Sequence, residues 1–140
     1  MAVTCRSGVH YQVQISAGNH AWIADEPLDT GDDLGPSPYD LLLSALGACT
    51  VMTVEMYAKR KAWPLDSVEV RLDTHKIYAR DCEDCLSDPN SKVDVITREI
   101  HFTGALSEEQ IARLTEIADR CPVHRTLTSE IKIRTAVIAS

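Results

Sequence analysis

The stretch SPYDLLLSALGACTVMT, residues 37–53, predicts a long helix with a cysteine near its middle. Ser37 is a suitable N-cap residue, and Asp40 can complete a capping box and interact favourably with the positive end of the helix dipole. We expect the helix to continue to about Lys61, because Pro64 forbids further extension. The start of this helix is therefore defined by local chemistry alone.

Apolar residues cover nearly the whole surface of this predicted helix. A helix that is apolar nearly all round must be buried on nearly all sides. The sequence thus predicts a long buried central helix, and Cys49 becomes the leading candidate for a functional residue. One stripe of the helix is formed by Leu41, Ala45, Ala48, Cys49 and Met52.

The length and charge of the chain limit its class. With 140 residues, a single domain spanning residues 1–140 is expected. The 14 basic and 21 acidic residues give a formal charge of −7, so the surface should repel nucleic acid. An uncharged or apolar small substrate is easier to accommodate.

The N-terminus and the cysteine content bear on location and redox state. No stretch resembles the apolar core of a signal peptide, and none approaches the roughly 18 apolar residues of a membrane span, so we expect a cytoplasmic protein without membrane association. The five cysteines are an odd number. Free or redox-active thiols are therefore favoured over a structural disulfide framework.

The remaining pattern predicts an α+β fold with antiparallel sheets rather than alternating βαβ units. The acidic, turn-rich residues 25–36 form either a solvated linker or the rim of a substrate site. Arg98 shares a strand face with apolar residues, so it lies either at the sheet margin or inward against a partner. The expected elements besides the long helix are strands at 9–15, 21–23, 68–78, 93–102 and 131–137, a helix capped by Ser107 and Gln110, and a short helix at 124–129.

A second cysteine, Cys121, follows the apolar stripe of the later helix and directly precedes Pro122. Buried cysteines are often inert small hydrophobes. Two inward thiols in a small domain can instead react with a peroxide, when one thiolate becomes a sulfenic acid and the other condenses with it to a disulfide. An external dithiol then restores the pair.

Burial opposes this chemistry, because it raises the pKa of a thiol while the attacking species is the thiolate. A cationic group or other N–H donors must therefore be brought to Cys49 by the fold. The candidate cations are Arg6, Arg98, Arg120 and Arg125.

Three segments taken together, GPSPYDLLL at 35–43, ALGACT at 45–50 and CPVH at 121–124, resemble the OsmC/Ohr superfamily. The resemblance implies an OsmC-like fold, an intertwined homodimer with buried central helices flanked by antiparallel sheets. It also implies a thiol-dependent peroxidase that reduces organic hydroperoxides and is regenerated by a dithiol reductant, without a metal or organic cofactor. By the same resemblance, Cys49 matches the peroxidatic cysteine and Cys121 the resolving cysteine.

The chain departs from one branch of that superfamily at the start of the long helix. The organic hydroperoxide resistance branch has a glutamate directly after the proline, paired with an N-terminal arginine that activates the thiolate. Here Tyr39 occupies that position and the carboxylate, Asp40, comes one residue later, while Arg6 is the one arginine before the helix. The chain is thus more similar to the OsmC-like branch, with Asp40 and Arg6 as supporting residues.

The motif Cys82-x-x-Cys85 is a further candidate site in an acidic loop. It is compatible with an unspecialised surface loop, an auxiliary disulfide or thiol relay, or half of a zinc site. For the whole protein, the alternative to a peroxidase is a non-catalytic dimer that binds a hydrophobic small molecule in its interface pocket. A metal-dependent hydrolase is disfavoured, because the histidines lack ligand spacing.

Overall fold

The computed structural model describes residues 2–139 as five β-strands, a long helix, two shorter helices and a 3₁₀ turn. The chain divides into two compact units, Met1–Ala45 and Leu46–Ser140. Every strand pair recorded is antiparallel, so the α+β prediction is confirmed.

The first unit contains a three-stranded antiparallel sheet in the order β1-β2-β3. The strand predicted at 9–15 begins later than expected, because residues 8–12 form a turn in which Gly8 N–H donates to Gln12 O at 2.8 Å. The strand preceding that turn was not predicted. The three strands are β1 (Val3–Ser7), β2 (Val13–Ala17) and β3 (His20–Ala24).

The acidic segment after β3 is held by hydrogen bonds to a buried carboxylate. Asp25 is 2% exposed, and its oxygens accept the N–H groups of Glu26 at 2.8 Å and Leu34 at 3.1 Å. A Cβ added at Gly35 would collide with the carbonyl oxygen of Ile23, so the segment returns close to β3. It is therefore an organised loop and not a bare linker.

Helix α1 (Pro38–Arg60) begins with the predicted capping box. Asp40 N–H donates to Ser37 Oγ at 3.2 Å, and Ser37 N–H donates to Asp40 Oδ2 at 3.0 Å. Within the single chain only one face of α1 is covered, so the predicted burial on nearly all sides stays a prediction for the homodimer. The buried residues are Leu46, Gly47, Thr50, Val54 and Ala58. Among the exposed ones are Ala45, Ala48, Met52 and Met56, which include most of the predicted inward stripe.

By length and composition alone, α1 could cross a membrane: its most apolar window has a mean hydropathy of 1.5 and is 28% buried. The same criterion is met by core helices of globular proteins. The buried face of α1 belongs to a protein core, as the second unit shows.

In the second unit, α1 packs with a two-stranded sheet and α2. The predicted capping box of α2 is confirmed, since Ser107 Oγ accepts from Gln110 N–H at 3.1 Å and Gln110 Oε1 accepts from Ser107 N–H at 3.0 Å. The core cluster is formed by Val54, Ala58, Leu114 and Ala118. The elements are β4 (Leu65–Tyr78), β5 (Lys92–Gly104), α2 (Glu108–Ala118) and α3 (Pro122–Leu127).

The strand predicted at 131–137 is wrong for the described chain, in which residues 130–139 adopt neither helix nor strand. Ile133 is 88% exposed and Val137 is 90% exposed. Alternating apolar residues suit a strand, but a strand forms only where a neighbour satisfies its backbone N–H and C=O groups. No such neighbour is present among residues 2–139.

Candidate functional site: a hydrogen-bonded thiol pair

The fold brings Cys49 of α1 together with Cys121, which caps the start of α3. The interaction between the two side chains acts to lower the pKa of Cys49 and to raise that of Cys121. Cys49 is half-buried, whereas Cys121 is fully buried. The N–H of Val123 donates to Cys49 Sγ at 3.5 Å, and the N–H of His124 donates to Cys121 Sγ at 3.3 Å. Both sulfurs are therefore contacted by the first turn of α3.

The pKa of Cys49 lies below its ordinary value. Burial acts to raise it, but three hydrogen bonds to the sulfur outweigh that effect: from the Cys121 thiol, the Val123 N–H and the Thr53 hydroxyl. Hydrogen bonds to the charged form of a group favour that form. The Cys49 thiolate is thus stabilised by donors and not by an adjacent cation.

The pKa of Cys121 is shifted in the opposite direction. Burial raises it first, and the interaction with Cys49 raises it further, against smaller lowering effects from the His124 N–H and Thr50. A thiol that donates to a neighbouring thiolate holds its own proton more tightly. The directions of the two shifts therefore favour a thiolate at Cys49 and a thiol at Cys121.

The location of the proton on Cys121 predicts how the reactivity of Cys49 depends on pH. Cys121→Ala removes a donor to the Cys49 sulfur, so the pKa of Cys49 should rise and its thiolate fraction should fall at a given pH. Iodoacetamide labelling of Cys49, followed by mass spectrometry across pH, should show a midpoint at higher pH than in the parent. Cys121→Ser keeps a hydroxyl donor and should give a smaller shift. Equal midpoints in all three proteins would contradict the hydrogen-bonded pair.

Near the thiols, Arg98 joins α1, which carries Cys49, to the end of α2. Its Nη1 donates to Thr50 Oγ1 of α1 at 3.1 Å and to Ala118 O at 3.3 Å, and its Nη2 contacts Asp119 Oδ1 at 2.6 Å. The Arg98 side chain is only 13% exposed. Of the two positions considered for this arginine, the inward one is therefore correct. Through these contacts Arg98 holds Thr50, the residue next to Cys49, against the end of α2, which lies two residues before Cys121.

Replacing Arg98 by methionine should destabilise the second unit. The change keeps an apolar stem but leaves Thr50 Oγ1 and the Ala118 carbonyl without their donor, which should lower the free energy of unfolding by about 2–3 kcal/mol. Denaturant unfolding measures the loss. Arg98→Lys should recover only part of it, because one ammonium cannot reproduce a fork that meets three acceptors. Lys132→Met is the matched control, since its ion pair with Glu130 is exposed and should contribute under about 1 kcal/mol. A methionine variant as stable as that control would show that the Arg98 contacts are not formed.

The other predicted supporting residues have their own local surroundings. Asp40 is exposed and is engaged in the capping box with Ser37. Arg6 lies on β1 and lines a cavity of about 610 Å³ with residues of the same sheet, among them Gln14 and Trp22. Arg120 and Arg125, the remaining candidate cations, are exposed. The roles of Asp40 and Arg6 stay predictions.

Cys82 and Cys85 form a disulfide, with their Cα atoms 5.5 Å apart. Of the three interpretations of this motif, the structure is consistent with the auxiliary disulfide and not with an unspecialised loop. Cys82, Asp84 and Cys85 place one potential metal ligand each within 4.8 Å of one another, but both sulfurs are taken up by the disulfide. A zinc site is therefore disfavoured in this oxidation state.

Comparison with known proteins identifies the family of the chain. The family described as OsmC-like protein matches residues 31–136, a range that contains both thiols of the pair. The chain belongs to the OsmC-like protein family. A curated relative from Haloferax volcanii, described as an uncharacterized protein, is 24% identical over 115 residues, which cover 81% of this chain and 80% of the relative.

Solved structures share the fold of this OsmC-like chain. The OsmC-like protein of Mycoplasma pneumoniae has a TM-score of 0.66 at 20% identity and covers 90% of this chain and 85% of its own. An organic hydroperoxide resistance protein OsmC from Legionella pneumophila has a TM-score of 0.64 at 17% identity, with coverages of 91% and 88%. The organic hydroperoxide resistance protein OhrB of Bacillus subtilis has a TM-score of 0.62 at 18% identity, with coverages of 91% and 89%. At these identities the likeness establishes the fold alone.

Sequence reasoning missed several groups around the thiols of this OsmC-like chain. The backbone N–H groups of Val123 and His124 leave no side-chain signal, because any residue other than proline carries such a donor. Thr53 was detectable in principle, since it lies four residues after Cys49 on the same helix face. Thr50 was hidden for another reason: a buried threonine on an apolar helix is usually satisfied by its own backbone, as here by Leu46 O at 2.7 Å.

Proposed function

We propose that this OsmC-like protein is a thiol-dependent peroxidase that reduces organic hydroperoxides. The observation that carries the proposal is that the fold brings Cys49 and Cys121 to the first turn of α3, where the N–H groups of Val123 and His124 donate to their sulfurs. The lowered pKa of Cys49 and the raised pKa of Cys121 agree with this arrangement. A peroxidase of this type needs one thiolate to attack and one protonated thiol close by. The hydroperoxide resistance proteins among the structural relatives add support for the substrate class.

In the first step, the Cys49 thiolate attacks the terminal oxygen of the hydroperoxide. The O–O bond breaks, an S–O bond forms, and the alkoxide leaves as the alcohol after taking a proton. The Cys121 thiol is well placed to provide that proton, because it donates to the Cys49 sulfur. The product is a sulfenic acid at Cys49.

In the second step, Cys121 attacks the Cys49 sulfur and displaces hydroxide, which leaves as water. The disulfide then holds the two electrons that the hydroperoxide has taken from the pair. An external dithiol returns both thiols to their reduced state by exchange through a mixed disulfide. The balance is one hydroperoxide and two thiols converted into one alcohol, one water and one disulfide.

Thiol titration tests the proposal. With Cys82–Cys85 bonded, the free thiols in the described chain are Cys5, Cys49 and Cys121. One equivalent of cumene hydroperoxide should be consumed while two of these thiols disappear and Cys5 remains. An unchanged thiol count with unconsumed hydroperoxide would favour the alternative, a dimeric protein that binds a hydrophobic molecule without reacting with it.

We also propose that the protein acts as a homodimer. On α1, Met52 is 56% exposed and Met56 is 67% exposed. The apolar residues Ala45 and Ala48 are exposed on the same helix. Exposed apolar surface of this kind is expected at the contact between subunits. The exposed apolar residues of the C-terminal segment, such as Val137, are consistent with a second covered surface.

Light scattering during size-exclusion chromatography should give twice the chain mass of 15.5 kDa. Met52→Glu places a charge on the apolar face and should shift the protein to the monomer at micromolar concentration, because a charge buried at an interface lacks a partner. Leu86→Glu is the matched control, since Leu86 is fully exposed on the acidic loop. A parent protein that elutes as a stable monomer would contradict the dimer.

A further inference from the structure

The Cys82–Cys85 disulfide is a second redox group in the same unit as the thiol pair. Its contribution to the stability of the fold is small. The two cysteines are separated by only 3 positions in sequence. Cross-linking stabilises a protein mainly by restricting its unfolded chain, and the shortest loops gain least. A Cys-x-x-Cys disulfide in a half-exposed position is more suited to thiol exchange.

The disulfide lines a cavity that is also lined by residues of α3, the helix that Cys121 caps. The cavity has a volume of about 580 Å³ and is lined by both Cys82 and Cys85, by Arg98, and by His124 of α3. His124 is also the residue whose N–H donates to Cys121 Sγ at 3.3 Å. The same turn of α3 therefore borders the disulfide cavity on one side and contacts the thiol pair on the other.

We propose that Cys82 and Cys85 form a thiol relay that passes reducing equivalents from an external dithiol to the oxidised Cys49–Cys121 pair. This inference rests on the proposed peroxidase function. The relay begins with Cys82 and Cys85 reduced. One of their thiolates attacks Cys121 Sγ, the Cys49–Cys121 bond breaks, and Cys49 leaves as the thiolate. The other relay thiol then loses its proton and attacks the mixed disulfide, and the released Cys121 takes up a proton.

The products balance: one disulfide and two thiols become two thiols and one disulfide, with the bond now between Cys82 and Cys85. An external dithiol reduces that bond and is itself oxidised.

Thiol exchange requires Cys121 to become accessible to the relay cysteines. Helix α3 can open locally to expose it. Helix α3 spans only Pro122–Leu127 and contains no buried residue. Residues 130–139 beyond it adopt neither helix nor strand within the single chain. Opening of this helix breaks few apolar contacts, so it belongs to the least stable parts of the unit. The open side faces the cavity that holds the disulfide.

The negative charge of the loop that carries the disulfide affects which external dithiols approach it. Four acidic side chains lie in this loop, whereas residues 81–91 contain no lysine or arginine. The negative potential repels anionic thiols and favours neutral or positively charged dithiols. The carboxylates, all exposed, belong to Asp81, Glu83, Asp84 and Asp88.

A single-turnover experiment tests the relay. The fully reduced protein receives one equivalent of cumene hydroperoxide without external thiol, and disulfides are mapped by quenching and mass spectrometry over time. The Cys49–Cys121 bond should appear first and then be replaced by Cys82–Cys85, at a rate independent of protein concentration. In the double variant Cys82→Ser/Cys85→Ser, the Cys49–Cys121 bond should persist. In Cys49→Ser, hydroperoxide should not produce the Cys82–Cys85 bond.

The outcomes separate the relay from the proposed function. If the hydroperoxide is not consumed, the proposed function fails and the relay with it. If the Cys49–Cys121 bond forms and persists while Cys82 and Cys85 stay reduced, the relay alone is wrong. Rapid oxidation of Cys82 and Cys85 in Cys49→Ser would make them a direct peroxide-reactive pair and also overturn the relay.

A matched pair of small thiols tests the charge argument. In a Cys49→Ser/Cys121→Ser background, neutral 2-mercaptoethanol should reduce Cys82–Cys85 several-fold faster than anionic 2-mercaptoethanesulfonate at low salt, after correction for their thiolate fractions. The difference should shrink as salt screens the loop, and also in Glu83→Gln/Asp84→Asn. Equal corrected rates at low salt would remove the electrostatic selection of the reductant.

Discussion

Replacing Cys49 by serine is expected to abolish hydroperoxide consumption, with a fall of about 10³-fold or more. Serine keeps the size of the side chain, but its hydroxyl does not ionise near neutral pH and is a poor nucleophile toward a peroxide oxygen. Cys121 cannot replace it, because this thiol is fully buried and burial raises its pKa. The measurement is the loss of cumene hydroperoxide by the reduced protein under single-turnover conditions.

The matched control for that experiment is Cys5→Ser. Cys5 is exposed on β1, and it belongs to the first unit, so its loss should leave hydroperoxide consumption as in the parent. Circular dichroism of both variants checks that the fold is retained. Substantial consumption by Cys49→Ser would show that another thiol attacks the hydroperoxide, and mass mapping of the sulfenic acid would identify it.

Replacing Cys121 by serine should have a different effect, because it removes the second step and keeps the first. The serine hydroxyl can still donate to the Cys49 thiolate, so one equivalent of hydroperoxide should be consumed rapidly. Without a thiol to condense with it, the sulfenic acid at Cys49 should accumulate and react with a dimedone-type probe. Repeated turnover supported by a dithiol should fall by about tenfold or more, since the external thiol must then reach Cys49 itself.

Excess hydroperoxide provides the second measurement for this variant. Cys49 of Cys121→Ser should progress to the sulfinic acid, which the parent avoids by forming a disulfide. Mass spectrometry of the Cys49 peptide detects the two added oxygens. A variant that turns over like the parent, without a trapped sulfenic acid, would show that Cys121 does not resolve the intermediate.

Local chemistry made the main helix and the α2 start predictable from the sequence. Ser37 and Asp40 satisfy the first N–H groups of α1 within the same turn, and Ser107 with Gln110 does so for α2. These capping interactions involve only a few neighbouring residues, so they can be predicted without knowing how the rest of the chain folds. The order of the elements and their apolar periodicity then led to the α+β fold.

The exposed face of α1 could not be assigned in this way. An apolar helix offers several faces of similar hydrophobicity, and which one is buried depends on the elements that the chain packs against it. Here the face through Val54 and Ala58 meets Leu114 of α2. The predicted stripe through Ala48 and Met52 stays exposed in the single chain. The predicted C-terminal strand is absent for a related reason, since apolar alternation does not provide a pairing neighbour.

The sequence by itself determined the helices, the family motifs and the two candidate cysteines, because these depend on neighbouring residues or on segments that can be compared directly. Only the tertiary structure decided how the pair is activated. The Val123 N–H reaches the Cys49 sulfur across a separation of 74 positions, and Arg98 reaches Thr50 across 48. Such contacts form when helices and strands pack together. They depend on several elements that lie far apart in the sequence, so no single stretch predicts them. The Val123 N–H is one of the donors that lower the pKa of Cys49, and no residue near Cys49 in the sequence indicates it.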